Sequence, residues 1–536
     1  MKHSMYQDLW QGKEALLAQS ALRCGDVSLS FGTFFDAIRQ AEAGLRSMGV
    51  KAGELVTILS LNTPESVIAF YAIDRIGAVA NWVDMKLGPT EVEGYLTQSA
   101  SRVVLVLELA FEKVYQNRGD APAEHFVVLP LAPYLPPALA EKLRLGRWQD
   151  LAGTDCLPWA SFLKPPDNQP PEAERWEEAA TITYTGGTTG PAKGVVLSRR
   201  AFRASLMQYC KGETLYGQGG ATLTLLPIFA AFGLCQCIHI PLCLGMTVIL
   251  TPLFRGEQLG ELLLRYHPEQ VSGTSAYWQL LLQSPEAAEA DLSFLKTPRN
   301  GGDALSGEME RRINDFLARR GCAAPLIKEY GMSEVAGIVC LNYGTWRDVG
   351  CVGHPLPGCQ IIAVDPETGR EVPRGEQGEL LILSDTVMNG YYAQPQADNQ
   401  VLKPGPDGQL WVWTKDLGHI RADGGVVVTG RSKRMISRNG FKIFPSVIED
   451  CLLQSELVEA CAVVAGRTPA GEVRPVAHIV PKQGVGEDHV KQALVTLCKR
   501  ELNSYILPAA YRFLSELPLT GRGKLDYRAL EQDSIL

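Results

Sequence analysis

Within the first 110 residues, short apolar runs alternate with segments whose apolar residues recur at helical spacing. Phe34–Val50 carries the helical spacing, and Leu55–Leu61 reads as a buried strand. Pro64–Ala80 opens with proline at a first helical turn and reaches Gly77, and Val103–Leu107 is another apolar run. Proline fits a first turn because its missing N–H would have no intrahelical partner there. A strand buried on both faces reads as a continuous apolar run. This rhythm predicts an α/β fold built on a largely parallel, helix-covered sheet. The chain has 536 residues; at roughly 100–200 residues per domain, one continuous core is not expected.

The pattern changes three times along the chain. Residues 118–178 are crowded with proline and read as a long irregular excursion. The alternation then resumes to about Leu326. From Gly350, short strands with turn signals (GCQIIAVD, GELLIL, QLWVWT, GGVVVTGRS) predict a small antiparallel β region. From Arg434 the pattern is a compact mixture of helix and strand. The composition break near Arg431–Lys433 divides the chain into a large N-terminal domain, residues 1–432, and a small α+β C-terminal domain, residues 433–536. Leu223–Phe254 contains no Asp, Glu, Lys or Arg and is long enough to span a bilayer. Three prolines interrupt it, and Gly245–Leu250 is strand-like, so it reads as buried core.

Net charge is −8 and no Lys/Arg cluster dominates any stretch, so a nucleic-acid footprint is absent. The thirteen cysteines form no C-x-x-C pair, and Asp8 and Glu14 sit where a signal peptide would need an apolar core. Reduced thiols in the cytoplasm are the expectation.

Thr181–Ser198 is the most informative stretch. An alternating strand, Thr181–Thr185, runs into Gly186-Gly187-Thr188-Thr189-Gly190-Pro191-Ala192-Lys193-Gly194, and the apolar strand Val195–Leu197 follows. Glycines allow successive backbone N–H groups to turn inward as an anion nest. Thr185, Thr188 and Thr189 add hydroxyl donors, and Lys193 adds a mobile cation suited to a β- or γ-phosphate. The loop is not a Walker A motif, because Ala192 precedes the lysine and Gly194 follows it. A hairpin without a ligand is the alternative. The density of glycine, threonine and lysine favours phosphate.

This loop resembles the signature of the adenylate-forming (AMP-binding) superfamily: acyl-CoA synthetases, stand-alone adenylation domains and luciferase-like enzymes. Further stretches resemble the family's motifs in the family's order. Asn300–Leu305, with Gly302, Asp303 and Ala304, is similar to its adenine-binding turn, although alone it reads equally well as an ordinary turn. Tyr330-Gly331-Met332-Ser333-Glu334 resembles the Tyr-Gly-x-Thr-Glu motif. There Tyr330 would stack on adenine, Ser333 would reach the α-phosphate and Glu334 would ligate Mg²⁺. Asp416 stands where the family's Thr-Gly-Asp binds ribose, but Lys415 replaces the glycine. Arg431 would contact ribose and Lys433 would be the hinge. Leu517–Lys524 resembles the last motif, whose lysine, Lys524, would join the α-phosphate and the attacking carboxylate. The resemblance implies a mobile C-terminal lid and a catalytic set of Lys524, Lys193, Ser333 and Glu334.

It also implies the chemistry: a carboxylic acid and ATP give an acyl-adenylate, then a thiol takes the acyl group. The acyl pocket would be lined by Phe229, Ala230, Phe232, Ser275, Ala276, Gly301, Ala336 and Gly337. Leu226–Leu234 holds no acidic residue, so a buried α-amine would lack a partner. An apolar or aryl acid is expected. Coenzyme A is the expected acceptor, because no carrier segment follows Lys524. A free carrier protein is the alternative, and a luciferase-type oxygenase or a non-catalytic relative is a more distant one. No stretch indicates the oligomeric state.

Overall fold

The computed structural model describes residues 4–166, 170, 177–185, 192–211, 220–342, 349–431, 434, 436–438, 441–467, 473–520 and 524–534. Two large sheets dominate it. One has eight strands, in the order Gly390–Tyr391, Gly194–Ser198, Ala179–Tyr184, Val79–Trp82, Leu55–Leu59, Val103–Leu107, His125–Leu129 and Cys156–Pro158. The last six run parallel; the first two pair antiparallel at one edge. The second sheet has nine strands, with a parallel centre made of Ser20–Cys24, Thr247–Leu250, Ala221–Thr224, Gln270–Gly273, Thr297–Gly301 and Ile327–Tyr330.

Helix Pro64–Ile76 shows how sequence sets this architecture. The Thr63 hydroxyl caps its start by accepting from Ser66 N, proline occupies its first turn, and Gly77 ends it at φ 76°. An L-side chain resists that left-handed conformation, which glycine adopts freely. All thirteen of the helix's residues are buried, as expected of a helix held within the core and not laid over its surface. Two of its charged groups are ion-paired and the third is hydrogen-bonded: Asp74 accepts from Arg199 Nε at 2.8 Å, Arg75 pairs with Glu42, and Glu65 Oε1 accepts from the Tyr134 hydroxyl at 2.6 Å.

The proline-rich stretch differs from expectation. Residues 118–178 contribute two short parallel strands, His125–Leu129 and Cys156–Pro158, which extend the first sheet. Pro137 opens a short helix and Pro158 ends the edge strand of the sheet, positions where a missing N–H costs little. The charge-free stretch Leu223–Phe254 is core, as read. It supplies a strand, a π-helical segment Phe232–His239 and the strand Thr247–Leu250. No helix among the described residues is long and apolar enough to cross a membrane.

The β region from Gly350 is a five-stranded antiparallel sheet comprising Cys359–Val364, Gly378–Ser384, Leu402–Pro404, Leu410–Ile420 and Val426–Arg431. The C-terminal part is small and mixed. A three-stranded sheet, Val458–Arg467, Val473–Pro481 and Ala510–Phe513, carries helices Pro445–Leu453 and Glu487–Glu501. All thirteen cysteines are free.

Candidate active site

The strands flanking the glycine-rich loop form an antiparallel hairpin in which Tyr184 faces Gly194. Thr185 N donates to Lys193 O at 2.8 Å and closes the mouth of the loop. Gly186, Gly187, Thr188, Thr189 and Gly190 lie outside the described residues, as does Lys433. Lys193 is half-buried, with Nζ 4.7 Å from the centre of the Tyr391 ring. Tyr391 pairs with Val195 across the sheet edge and donates its hydroxyl to Glu334 Oε1 at 2.6 Å. One tyrosine thus joins the loop lysine to the glutamate expected to hold metal. Its place, 57 residues beyond Glu334 in sequence, gives no local signal of that role. Ser333 and Glu334 share a single 3₁₀ turn, Ser333–Val335. A Cβ on Gly331 would overlap the Gly337 carbonyl, so the Tyr330–Glu334 motif and the Gly337 wall touch through backbone alone.

Tyr330, Asp416 and Arg431 meet as a triad. The Tyr330 hydroxyl donates to Asp416 Oδ2 at 2.9 Å, and Arg431 Nε donates to Oδ1 at 2.9 Å. Burial pushes the Tyr330 phenol well above its ordinary range, and the Asp416 carboxylate raises the Arg431 guanidinium. Asp416 itself is 5% exposed, while the Arg431 side chain is 57% exposed and open on its outer side. Lys415 answers the question that its replacement of glycine raises: it holds φ at 63°, the left-handed conformation. Its N–H is anchored by Glu379 Oε1 at 2.9 Å, and Asp416 N is anchored by Thr414 Oγ1 at 3.0 Å. Lysine thus occupies here a left-handed conformation that glycine would adopt freely.

In the turn after Asn300, Gly302 is exposed, with φ 87°, and Ala304 is exposed. Asp303 turns its two oxygens to Ser275, accepting from its N at 2.9 Å and from its Oγ at 2.6 Å. Burial raises the Asp303 carboxyl, and Ser275 and Lys524 pull it back. The turn assigned to adenine is therefore latched to the helix that carries Ser275 and Ala276.

Of the residues expected to line an acyl pocket, Gly301 meets Phe232, and Ala336 and Gly337 both meet Gln236. Phe229 and Ala276 are buried, and Ala230 and Phe232 are half-buried. Asn62 fixes their segment: its Nδ2 donates to Leu226 O at 3.0 Å and its Oδ1 accepts from Ile228 N at 2.7 Å. A Cβ on Gly301 would lie 2.7 Å from the Phe232 ring, and one on Gly337 would lie 2.9 Å from Gln236 Cγ. Both glycines are required by close approach. Ala336, also in the left-handed region at φ 55°, is held by Gln236 Nε2 on its carbonyl at 3.3 Å. Sequence reasoning missed the polar groups behind this wall. Arg299 and Glu329, both with fully buried side chains, are paired at 2.7 Å on neighbouring strands. No acidic residue lies in Leu226–Leu234, as read; this carboxylate comes from another strand.

The C-terminal part brings in Lys524. Arg312 of helix Gly307–Arg319 donates to the Val458 and Glu459 carbonyls at 3.2 Å, and Ser446 donates to Thr429 O at 2.8 Å. In this pose a Cβ placed on Gly302 would lie 3.5 Å from Lys524 Cε and 3.8 Å from its Nζ. The lysine is exposed, yet it stands over the turn that Asp303 latches. Ser437 and Arg438, just beyond the Arg431–Lys433 break, lie on the short hairpin Ile436–Arg438/Phe441–Ile443.

Comparison with known proteins identifies the family. Residues 10–392 match the AMP-binding enzyme family, and 447–524 match the AMP-binding enzyme C-terminal domain. A long-chain-fatty-acid–CoA ligase of Bacillus subtilis (strain 168) is 27% identical over 97% of this chain and 94% of that protein. A 4-coumarate–CoA ligase CCL1 of Humulus lupulus is 25% identical over 91% and 85%. Among solved structures, the fold matches the anthranilate CoA ligase AuaEII in complex with anthranoyl-AMP. That match has a TM-score of 0.86 and 23% identity, covering 100% of this chain and 98% of that one. ATP-bound MatB from Rhodopseudomonas palustris matches with a TM-score of 0.85 and 21% identity over 99% of each chain. With its glycine-rich loop, its Tyr330–Asp416–Arg431 triad and a family match over most of its length, this chain belongs to the AMP-binding enzyme family.

Proposed function

We propose that this enzyme is an acid–thiol ligase that works in two half-reactions. A carboxylate oxygen attacks the α-phosphorus of ATP, the α–β phosphoanhydride bond breaks, and acyl-adenylate and pyrophosphate result. A thiol then attacks the acyl carbon, AMP leaves, and a thioester and a proton are released. The acceptor is coenzyme A, the co-substrate in the names of the curated relatives. The observation that carries this reading is Lys524. An ammonium from the small C-terminal part stands over Gly302, beside Asp303, in the turn expected to bind adenine.

The roles follow from charge and placement. The loop Thr185–Lys193 cradles the phosphates, with Lys193 countering the charge on pyrophosphate. Asp416 and Arg431 hold the ribose, and Tyr330 supports the adenine. Ser333 reaches the α-phosphate. Lys524 bridges carboxylate and α-phosphate, where charge moves in the transition state and a fixed cation lowers the barrier. Glu334 fits Mg²⁺: among the described residues no cluster of three or more His, Cys, Asp or Glu could hold a metal on its own. A Mg²⁺ held by one carboxylate, water and substrate phosphates suits that supply. When bound it would act as a Lewis acid toward the phosphates.

The domain boundary lies at residues 432/433, with Lys433 as hinge. One pose excludes water while ATP reacts; rotation then withdraws Lys524 and admits the thiol past Ser437–Gly440. ATP, coenzyme A and thirteen unpaired thiols fit the cytoplasm. The test is pyrophosphate release from ATP with a panel of carboxylic acids, with and without coenzyme A, with the thioester quantified. Acid-dependent release and thioester formation are expected. Release without any thioester on coenzyme A, but with transfer to a phosphopantetheinylated carrier, would reassign the acceptor. No acid-dependent release would overturn the reading.

A further inference from the structure

Lys524 lies on the surface, yet a cation that stabilises a transition state must be fixed in place. Its backbone is held locally. Thr520 N donates to Lys524 O at 2.6 Å, Lys524 N donates to Thr520 Oγ1 at 3.2 Å, and Leu519 pairs with Leu525. Asp526 follows at once. Its N donates to Pro518 O at 2.8 Å, and its Oδ1 caps the short helix Tyr527–Gln532 by accepting from Arg528 N at 3.1 Å and Ala529 N at 3.2 Å. The lysine is therefore placed by how this helix is seated. Tyr527, the helix's first residue, lies against Arg434, whose guanidinium carbon is 3.7 Å from the centre of the ring.

Arg434 gathers the rest of the C-terminal part at the same point. Its Nη2 donates to Glu449 Oε1 at 2.8 Å and reaches the Val463 carbonyl at 3.5 Å. Glu449 Oε1 also accepts from Val463 N at 2.8 Å. One side chain, 21% exposed, thus ties together helix Pro445–Leu453, strand Val458–Arg467 and helix Tyr527–Gln532. A planar guanidinium can stack on a ring and pair with a carboxylate at once, which an ammonium cannot do. Three residues earlier, Arg431 is bound to Asp416 in the nucleotide triad. A backbone bond, Arg434 N to Arg431 O at 2.9 Å, joins the two arginines, so one is anchored on each side of the proposed pivot. Burial raises the Tyr527 phenol, Arg434 pulls it back, and the carboxylates of Glu449 and Asp303 push it up again. The ring is thus within electrostatic reach of the turn beneath Lys524.

We propose that Arg434 is a positioning residue for Lys524: it clamps the helix after the lysine to the helix and strand after the hinge, so that the C-terminal part turns as one piece and delivers the ammonium to a fixed point. The inference rests on the role proposed for Lys524 and adds the group that aims it. A displacement of about 1 Å at a reacting centre can cost on the order of 10²-fold in rate, so a lid that moves between two poses needs such a clamp.

The test uses the full-length protein and whichever of benzoate, 3-phenylpropenoate and palmitate gives the fastest acid-dependent pyrophosphate release. Two rates are measured: single-turnover adenylate formation, and thioester formation on coenzyme A from the supplied acyl-adenylate. Arg434→Met should lower the first by about tenfold to a hundredfold, the scale of a misplaced catalytic group, and leave the second largely intact. Tyr527→Leu, which removes the ring and keeps the Arg434–Glu449 pair, should repeat that pattern. In a Lys524→Ala background no ammonium remains to be placed, so neither variant should lower adenylate formation further, because both act through that one group. Losses that multiply in that background, equal losses in the two half-reactions, or unimpaired adenylate formation in Arg434→Met and Tyr527→Leu would overturn the proposal. Lys524→Ala forming adenylate at the wild-type rate would instead overturn the role given to Lys524, and this inference with it.

Discussion

Tyr391 joins two groups of the site, and Tyr391→Phe separates its two contacts. The ring stays, so Lys193 keeps its partner 4.7 Å away. The hydroxyl goes, and with it the 2.6 Å hydrogen bond to Glu334, a carboxylate only 7% exposed. A hydrogen bond to a charged group contributes about 1.5–3 kcal/mol. If that loss is expressed in holding Glu334 for metal and nucleotide, kcat/KM for ATP falls between about tenfold and about 150-fold. The assay is acid-dependent pyrophosphate release across Mg²⁺ concentration, in Tyr391→Phe, Glu334→Gln and the double variant. The Mg²⁺ needed for half-maximal rate should rise in Tyr391→Phe. The double variant should lose less than the product of the two single losses by about tenfold, because both changes break one interaction. Independent losses, or an unchanged Mg²⁺ requirement, would refute the link and leave Tyr391 as packing.

Lys524→Ala should lower adenylate formation by about 10²–10³-fold while leaving thioester formation from supplied acyl-adenylate largely intact; equal loss in both assays would contradict its placement over Gly302. Lys415→Gly should leave activity unchanged and raise stability by up to about 1 kcal/mol, since a left-handed L-residue costs roughly 1–2 kcal/mol and glycine returns part of that as backbone entropy; denaturant titration that shows destabilisation would mean the lysine side chain holds the turn. His239 is fully buried on the Tyr71 hydroxyl at 3.0 Å, and burial lowers its imidazole to about 3. A depressed folded value means the stability it contributes is present above about 6.5 and lost as pH falls toward 3. The stability of the wild type relative to His239→Gln should therefore be constant above pH 7 and decline by about 1.4 kcal/mol per pH unit below 6; a pH-independent difference would sink this assignment.

Local rules in the sequence carried much of the fold. Val103–Leu107 is a strand over those five residues, because a run of branched apolar side chains has only one burial that suits it. The strand His125–Leu129 was hidden, since prolines on both sides made the whole stretch read as loop. The motifs of the site were legible for the same reason that they are compact: Tyr330 ends a strand and Ser333 and Glu334 follow at once in a 3₁₀ turn, and Asp416 stands opposite Arg431 in the ladder. What was not legible depends on register between distant strands. Nothing near Tyr391 points to Glu334, and nothing near Arg299 points to Glu329; each pair exists because two strands or edges align. Lys415 is an intermediate case. The sequence raised a doubt about its backbone, and the structure resolves it with a non-glycine residue in a left-handed turn anchored by Glu379.

The claim at the centre of this account is that a carboxylate oxygen becomes bonded to the α-phosphorus of ATP. An acid labelled with ¹⁸O in both carboxyl oxygens, turned over with ATP and coenzyme A, reports on that bond. Thiol attack on the acyl-adenylate breaks the bond between carbonyl carbon and bridging oxygen, so AMP should leave carrying one ¹⁸O, with none in pyrophosphate. Label in inorganic phosphate with ADP as the nucleotide product, or unlabelled AMP, would contradict it.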